Sequence, residues 1–213
     1  AYFGLLDLGQ PQSGETVDTL GAMEHLAQAT DMQVVITNVP GSQATRIAAA
    51  TIEMRSGMEI GVASTKSFTS SIVCLYLLAL RLGELRGSLS AENLAERLRD
   101  LAELPRLVGS MLAKAGQIEL LADEFSLAKN FLFLGRGPTY PIALEGALKL
   151  KEISYVHAEG YPGGEMKHGP IALIESEMPT LAIAPEGEHY TKMANNIEEI
   201  KARNGTIVGL LTE

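Results

Sequence analysis

Residues 131–156, FLFLGRGPTYPIALEGALKLKEISYV, decide the fold of this chain. They begin with four apolar residues, 131–134, a run that indicates a short buried strand. A turn with two glycines follows, and residues 141–156 then have the length and pattern of a helix. A strand that passes through a short turn into a helix is the building block of α/β proteins. The stretch therefore predicts at least one such strand–helix unit.

Short apolar runs and longer amphipathic segments alternate along the rest of the chain as well. Strands are predicted at residues 3–8, 33–38, 131–134, 180–184 and 206–211. Helices are predicted at residues 16–29, 65–82, 91–101, 104–121, 141–156 and 190–203. This alternation is typical of an α/β protein with a mainly parallel sheet.

An approximate internal repeat divides the chain into two parts. The order strand, polar loop, helix and strand occurs in GLLDLGQPQSGETVDTLGAM followed by MQVVITNVP, and again in LAIAPEGEHYTKMANNIEEI followed by GTIVGLL. Between the two parts, residues 86–91, RGSLSA, carry turn and helix-capping residues. We therefore predict two subdomains, 1–87 and 88–213. We expect the first to lack its N-terminal part and the second to lack its C-terminal part.

Composition and charge limit the classes of function that the chain can have. It has 213 residues, of which 46% are hydrophobic, so it can bury a substantial core. Its formal net charge of −9 argues against binding nucleic acid, because phosphate backbones are bound by clustered lysine and arginine. Any phosphate ligand must therefore be held by local groups.

The apolar run at residues 72–80, IVCLYLLAL, contains the single cysteine, Cys74. One cysteine excludes an intramolecular disulfide and fits a reducing compartment, so we predict a core thiol. The run is too short to span a bilayer, which predicts a buried helix and no membrane role. The N-terminus has neither the basic start nor the cleavage site of a secretory signal.

Ionisable side chains are dense on the predicted helix 141–156 and after it. Glu145, Lys149 and Glu152 stand at i, i+4 and i+7, so two carboxylates and an ammonium share one stripe of the helix. Four apolar residues are left to anchor the helix, namely Ile142, Leu144, Leu148 and Ile153. The glycine-rich segment that follows, predicted as a loop, holds His157, Glu159, Glu165, Lys167 and His168. Proton transfer on a sugar suits such groups, but a solvated helix face with ion pairs explains the stripe equally well.

Two further patterns lie at predicted turns. In QSGET, residues 12–16, hydroxyls and backbone N–H groups at a helix start can hold a phosphate without any lysine or arginine, although an ordinary helix cap explains them too. The turn GRG at residues 135–137 lacks the third glycine of a dinucleotide site. No spacing of Cys, His or carboxylates predicts a metal site, and His25 and His189 are expected to be solvated.

Four separated motifs of this sequence resemble one enzyme family. They are QSGET, EIGVASTKSFT at residues 59–69, FLGRGPTYP at 133–141 and ALEGALKLKEISYVHAEGYPGGEMKHGP at 143–170. In this order they resemble the isomerase half of the glutamine:fructose-6-phosphate aminotransferases, also called glucosamine-6-phosphate synthases. The resemblance implies two doubly wound sugar-isomerase (SIS) subdomains of flavodoxin-like or Rossmann-like α/β/α type, both incomplete here.

The resemblance also implies a function. A member of this family binds fructose 6-phosphate and glucosamine 6-phosphate and carries out ketose-to-aldose isomerisation in amino sugar biosynthesis. It implies a cytoplasmic homodimer without a cofactor or metal, and a separate glutaminase domain in the full-length enzyme. That domain uses an N-terminal cysteine, whereas this sequence begins with Ala1, so we expect the glutaminase to be absent here.

By the same resemblance, roles are expected for eight residues. Glu152 is expected to be the base that moves the proton between C1 and C2, with Lys149 supporting proton transfer and His168 assisting ring opening. His168 is expected to act from the neighbouring subunit of the dimer. The phosphate is expected at Gln12, Ser13 and Thr16. The sugar is expected to contact the backbone of Val62 and the hydroxyl of Ser64.

The sequence departs from the family pattern in two places. Pro11 stands where the family has a serine, which removes a hydroxyl and a backbone donor beside the phosphate site. The family's C-terminal tail, with a lysine that forms a Schiff base with the sugar, is expected beyond Glu213. Two alternatives therefore stay open: a sugar-phosphate-binding regulator with the same fold, or a related isomerase or deglycase acting on another sugar phosphate.

Overall fold

The computed structural model of the protein describes residues 14–212. The chain divides into two compact units, with the division between Val108 and Gly109. The subdomain boundary after residue 87, based on the sequence repeat, precedes the connecting helices and stays a prediction. The predicted strand at residues 3–8 lies outside the described residues.

The first unit contains a pair of parallel strands flanked by helices. Its elements are α1 (Val17–Ala27), β1 (Val34–Thr37), α2 (Gln43–Ile47), β2 (Ala50–Glu53), α3 (Lys66–Leu85) and α4 (Ala91–Ala102). Strands β1 and β2 pair in parallel register, with Val34 opposite Ala50. A small core forms where Leu20 and Met23 of α1 meet Ala44 of α2. The predicted strand at 33–38 is confirmed, whereas β2 and α2 were not predicted.

Helix α3 differs from the buried helix that the sequence predicts. Ser67, Ser71 and Leu80 are its buried residues, while apolar side chains such as Ile72 and Leu77 are 41% and 42% exposed. Cys74 is partly buried and not a core thiol, although burial still raises the pKa of that thiol. By length and composition alone, α3 could cross a membrane, a test that core helices of soluble proteins also pass.

The connecting helices follow the predicted capping chemistry. Ser90 caps α4, because its hydroxyl accepts a hydrogen bond from the N–H of Asn93 at 3.2 Å. The single helix predicted at 104–121 is instead two helices, α5 (Leu104–Leu112) and α6 (Ala115–Glu124). The break lies at a turn through Ala113 and Lys114.

The second unit is a parallel sheet with a doubly wound strand order. Its elements are β3 (Asn130–Gly135), α7 (Thr139–Ser154), β4 (His157–Pro162), β5 (Thr180–Ala184), α8 (Tyr190–Lys201) and β6 (Ile207–Leu211). The strands lie in the order β4–β3–β5–β6 and all pairs are parallel. This is the second–first–third–fourth order of flavodoxin-like proteins, which confirms the predicted fold class.

Side chains of this sheet alternate between two cores. Leu132 and Leu134 of β3 point to one face, where they pack with Met193 and Ile200 of α8. Phe133, between them, points to the other face and packs with residues of α7. Because both faces are covered, the second unit is a three-layer α/β/α structure.

The segment after α7 is more regular than the predicted loop. Residues 157–162 form β4, which pairs with β3 from His157 opposite Asn130 to Pro162 opposite Gly135. Two short 3-10 helices follow, Gly163–His168 and Pro170–Leu173. Among the described strands β4 lies at an edge of the sheet, where glycine and proline are tolerated. This explains why the sequence HAEGYP was not recognised as a strand.

Candidate functional site

Helix α7 lies tightly against the sheet through small residues. Ala143 and Ala147, one turn apart, are buried against Phe133. Gly160 of β4 allows a close approach, since a Cβ there would lie 2.8 Å from the Cα of Leu144. Three of the four predicted apolar anchors of α7, Ile142, Leu144 and Ile153, are instead 39%, 43% and 65% exposed. The helix contacts the core through Ala143, Ala147 and the partly buried Leu150.

This packing leaves the stripe of ionisable residues on another side of α7. The Lys149 Nζ donates a hydrogen bond to Glu152 Oε2 at 2.9 Å and lies 3.3 Å from Glu145 Oε1. The three side chains are only 18%, 25% and 17% exposed for Lys149, Glu152 and Glu145. The structure therefore brings together the predicted base and its ammonium, and it adds Glu145 as a second carboxylate partner of Lys149.

The charge of Lys149 is stabilised by its two carboxylate partners. Burial by itself lowers the pKa of Lys149. The hydrogen bonds that Lys149 donates to Glu152 and Glu145, and the attraction of their charges, outweigh burial and raise the pKa above its ordinary value. A raised pKa contributes stability that is present below the ordinary pKa of lysine and is lost as the pH rises through the folded value. Lys149 is therefore charged throughout the physiological range.

We expect Lys149→Met to reduce the free energy of unfolding by about 1–3 kcal/mol near neutral pH, since it leaves two neighbouring carboxylates without a cation. Urea denaturation at neutral pH measures this loss.

Lys201→Met is a matched control, because Lys201 forms an i,i+3 pair with Glu198 at the same 2.9 Å distance but with side chains 54% and 70% exposed. Its loss should stay below about 1 kcal/mol. Equal losses in the two variants would contradict the special stability of the α7 cluster.

His168 lies at the end of the first 3-10 helix and is exposed. Within residues 14–212, no hydrogen bond or ion pair joins His168 to the cluster on α7. Its neighbour Lys167 pairs with Glu199 of α8 at 2.8 Å, which ties this segment to α8. The structure thus leaves the imidazole accessible from outside this unit.

The other ionisable residues of this segment lie on β4. His157 Nε2 is 3.7 Å from Glu159 Oε1 at the exposed edge. The Tyr161 hydroxyl donates a hydrogen bond to Glu159, and this bond, charge repulsion from Glu159 and burial raise the pKa of Tyr161. Glu159 thus interacts with both residues that share its face of the strand.

In the first unit, Thr16 directly precedes α1, at the place where the sequence predicts a strand-to-helix turn. Thr16 is the N-cap residue of α1, but its side chain makes no capping hydrogen bond. Gly14 has a positive φ of 62°, and a Cβ there would overlap the side chain of Ser42. The Glu15 carboxylate accepts a hydrogen bond from the N–H of Gln43 at 2.7 Å. Gln12 and Ser13, predicted with Thr16 to bind phosphate, lie outside the described residues.

The segment EIGVAST brings the other predicted ligand contacts to the start of α3. Val62 is 80% exposed, whereas Ser64 is buried, with 8% of its surface accessible. The hydroxyl of Ser64 forms a hydrogen bond with that of Ser67. An exposed backbone at Val62 and a fixed hydroxyl at Ser64 are compatible with the predicted contacts, which stay predictions.

Glu59 accepts hydrogen bonds at the start of α3, next to the predicted ligand contacts, and was not predicted from the sequence. Burial by itself raises the pKa of Glu59, but hydrogen bonds from Ser67 and Thr65 lower it to about 2. A capping-box search looks three residues ahead, whereas Glu59 stands six to eight residues before its partners, so no short motif predicts it.

The second unit also has a cavity that was not predicted. It has a volume of about 250 Å³ and lies where β3 and β5 end, with Arg136, Thr139 and His189 in its lining. His189 is partly buried and not solvated as expected, because its ring packs over Gly137 of the GRG turn. His25 is exposed, as predicted. In residues 14–212, no three His, Cys, Asp or Glu side chains come together as metal ligands.

The doubly wound sheet and the site residues belong to a recognised class of domain. The model of the SIS domain family matches residues 8–81 and 124–212, which is most of the chain. The chain therefore belongs to the SIS domain family.

Comparison with individual relatives shows which members of the SIS domain family this chain resembles. The glutamine–fructose-6-phosphate aminotransferase (isomerizing) of Gloeobacter violaceus is 51% identical over 207 residues, covering 96% of this chain and 34% of that protein. The enzyme of the same name from Methanosarcina mazei is 45% identical over 207 residues. This match covers 97% of this chain and 34% of the Methanosarcina protein. The chain thus spans about a third of the length of these curated relatives.

A solved structure agrees with the sequence matches. The C-terminal domain of glucosamine-fructose-6-phosphate aminotransferase from Francisella tularensis superposes with a TM-score of 0.92 at 41% identity, covering 94% of this chain and 57% of that one. The resemblance to the isomerase half of these aminotransferases, predicted from four motifs, is confirmed.

Proposed function

We propose that this chain is the isomerase part of a glutamine–fructose-6-phosphate aminotransferase, and that it converts a ketose phosphate into an aldose phosphate. The observation that carries the proposal is the cluster of Glu145, Lys149 and Glu152 on α7. A partly buried carboxylate hydrogen-bonded to a charged lysine is a group that can take a proton from carbon and return it.

In the proposed mechanism Glu152 moves a proton between C1 and C2 of the open-chain sugar. Lys149 holds the carboxylate of Glu152 through a hydrogen bond and stabilises the charge that develops on the sugar oxygen during the transfer. When the sugar ring opens, the bond between the ring oxygen and the anomeric carbon breaks. His168 donates a proton to the ring oxygen, and the anomeric hydroxyl loses its proton as it becomes the carbonyl. These three residues supply the acid and base groups that the reaction needs.

Phosphate recognition is assigned to the turn of the first unit. We propose that Thr16, together with Gln12 and Ser13, binds the phosphate of fructose 6-phosphate or glucosamine 6-phosphate. The cap hydroxyl of Thr16 is not used by α1, which supports this role. Such a site binds the anion through hydroxyls and the helix start and needs no lysine or arginine. Val62 and Ser64 would contact the sugar.

The cellular location, subunit assembly and glutaminase domain of the full-length protein are inferred from the resemblance to the aminotransferases. We infer a cytoplasmic homodimer that works with a glutaminase domain, from which ammonia reaches the sugar. His168 then acts on the site of the neighbouring subunit, which fits its exposed position.

The phosphate assignment is tested by ligand binding. We expect Ser13→Ala with Thr16→Ala to weaken the binding of glucosamine 6-phosphate about tenfold or more, since hydrogen bonds to a charged group are lost. Unphosphorylated glucosamine should bind almost as before. Isothermal titration calorimetry with both ligands measures the difference, and equal weakening of the two ligands would show that the phosphate lies elsewhere.

A further inference from the structure

We propose that Glu59 is a positioning residue that acts through Ser67 to make the hydroxyl of Ser64 a hydrogen-bond acceptor toward the ligand. This inference rests on the proposed function, which places Ser64 at the sugar. It adds a specificity rule: the sugar group that meets Ser64 must be a hydrogen-bond donor.

Both carboxylate oxygens of Glu59 accept hydrogen bonds from the start of α3. Its Oε1 accepts hydrogen bonds from the N–H groups of Thr65 at 2.9 Å and Lys66 at 3.3 Å, and from the Thr65 hydroxyl at 3.2 Å. Its Oε2 accepts from the hydroxyl of Ser67 at 2.5 Å and from the Ser67 N–H at 3.3 Å. The carboxylate therefore caps α3. It also joins the two ends of the loop that carries Val62 and Ser64.

The direction of the hydrogen bonds follows from the charge of Glu59. An ionised carboxylate only accepts hydrogen bonds, so the Ser67 hydroxyl must donate its one hydrogen to Glu59. The Ser64 and Ser67 hydroxyls are also hydrogen-bonded to each other. Because the hydrogen of Ser67 is already used, Ser64 is the donor in that second bond. The oxygen of Ser64 then has lone pairs, and no hydrogen, to offer a ligand.

Two observations make this arrangement persistent. Ser67 is fully buried and Ser64 is 8% exposed, so water does not easily replace their partners. Glu59 stays ionised under physiological conditions, because the hydrogen bonds it accepts outweigh burial and lower its pKa to about 2. The polarity of the Ser64 hydroxyl is therefore constant across the physiological pH range.

The chemical consequence concerns sugars whose hydroxyl is replaced. A hydroxyl facing Ser64 donates a hydrogen bond, whereas a fluorine at the same carbon has no hydrogen and meets the lone pairs of Ser64. We expect the protein to bind glucosamine 6-phosphate at least about tenfold more tightly than one of its 3-deoxy-3-fluoro or 4-deoxy-4-fluoro analogues. Calorimetric titration of all three ligands measures this discrimination.

Two variants test the hydrogen-bond chain. Ser67→Ala frees the Ser64 hydrogen, and Glu59→Gln places an amide donor beside Ser67, which can reverse the chain. Both should reduce the discrimination between hydroxyl and fluorine severalfold. In a Ser64→Ala background, Ser67→Ala should have no additional effect on binding, since it acts through Ser64.

A matched control tests whether Glu59 acts only by stabilising the start of α3. Ser90→Ala also removes a helix-cap hydrogen bond, at α4, and should lower thermal stability without changing the discrimination. Thermal unfolding of every variant confirms that it is folded. Two results would overturn this inference and leave the proposed function standing. In one, the wild type binds glucosamine 6-phosphate and both fluoro analogues about equally well. In the other, Ser67→Ala and Glu59→Gln distinguish hydroxyl from fluorine as strongly as the wild type does. Failure of the wild type to bind glucosamine 6-phosphate would overturn the proposed function, and this inference with it.

Discussion

Replacing Glu152 by glutamine should reduce isomerisation by roughly 10²–10⁴-fold, the usual effect of losing a general base. Glutamine has the same shape and can still accept the hydrogen bond from Lys149, but it cannot take a proton. We therefore expect binding of the sugar phosphate to remain near the wild-type level. Solvent deuterium exchange at C1 and C2 of the sugar measures the proton transfer directly.

Glu145→Gln is the matched control for this prediction. Glu145 lies on the same stripe of α7, contacts the same Lys149 at 3.3 Å and has a similarly small exposed fraction. The two substitutions change the charge of the cluster equally, so they differ only in which carboxylate is lost. Exchange that survives in the Glu152 variant and disappears in the Glu145 variant would reverse the assignment. Binding without any exchange in the wild type would favour the sugar-phosphate-binding regulator.

The parts of the fold that the sequence predicts well are those whose apolar pattern is decided locally. Strand β5 occupies the predicted residues 180–184, because helices on the two sides of the sheet bury both of its faces and its sequence is therefore a continuous apolar run. Strand β4 was missed because its residues read as a loop, and its conformation depends on pairing with β3. Strand β2 and helix α2 have four and five residues and no continuous apolar run, so no pattern in the sequence identifies them.

The candidate site was predictable to the extent that helix geometry determines it. Spacing along α7 places Glu145, Lys149 and Glu152 on one stripe, and the structure shows two ion pairs there. Spacing did not predict which side of α7 packs on the sheet, because that depends on the close approach allowed by Gly160. Glu59 was missed for a similar reason, since a loop brings it back to α3.

Mixing two inactive variants should restore activity if the histidine acts across a subunit interface. We expect Glu152→Gln and His168→Ala to be nearly inactive individually, each losing an acid or base group. In a hybrid dimer, one site combines Glu152 of one subunit with His168 of the other, and the second site lacks both. Random exchange makes half of the dimers hybrids, so about a quarter of all sites should regain full function.

The control for this experiment is the double variant Glu152→Gln with His168→Ala, mixed with wild-type protein. The expected hybrid then has one site without Glu152 and one site without His168, so hybrid formation should lower activity instead of restoring it. Subunit exchange is verified independently, by a tag on one partner and native mass spectrometry. If exchange occurs and the two single variants still show no recovery, His168 acts within its own chain or not at all. Recovery near a quarter of the wild-type rate would instead show that His168, which is exposed on its own subunit, acts in the site of the neighbouring subunit.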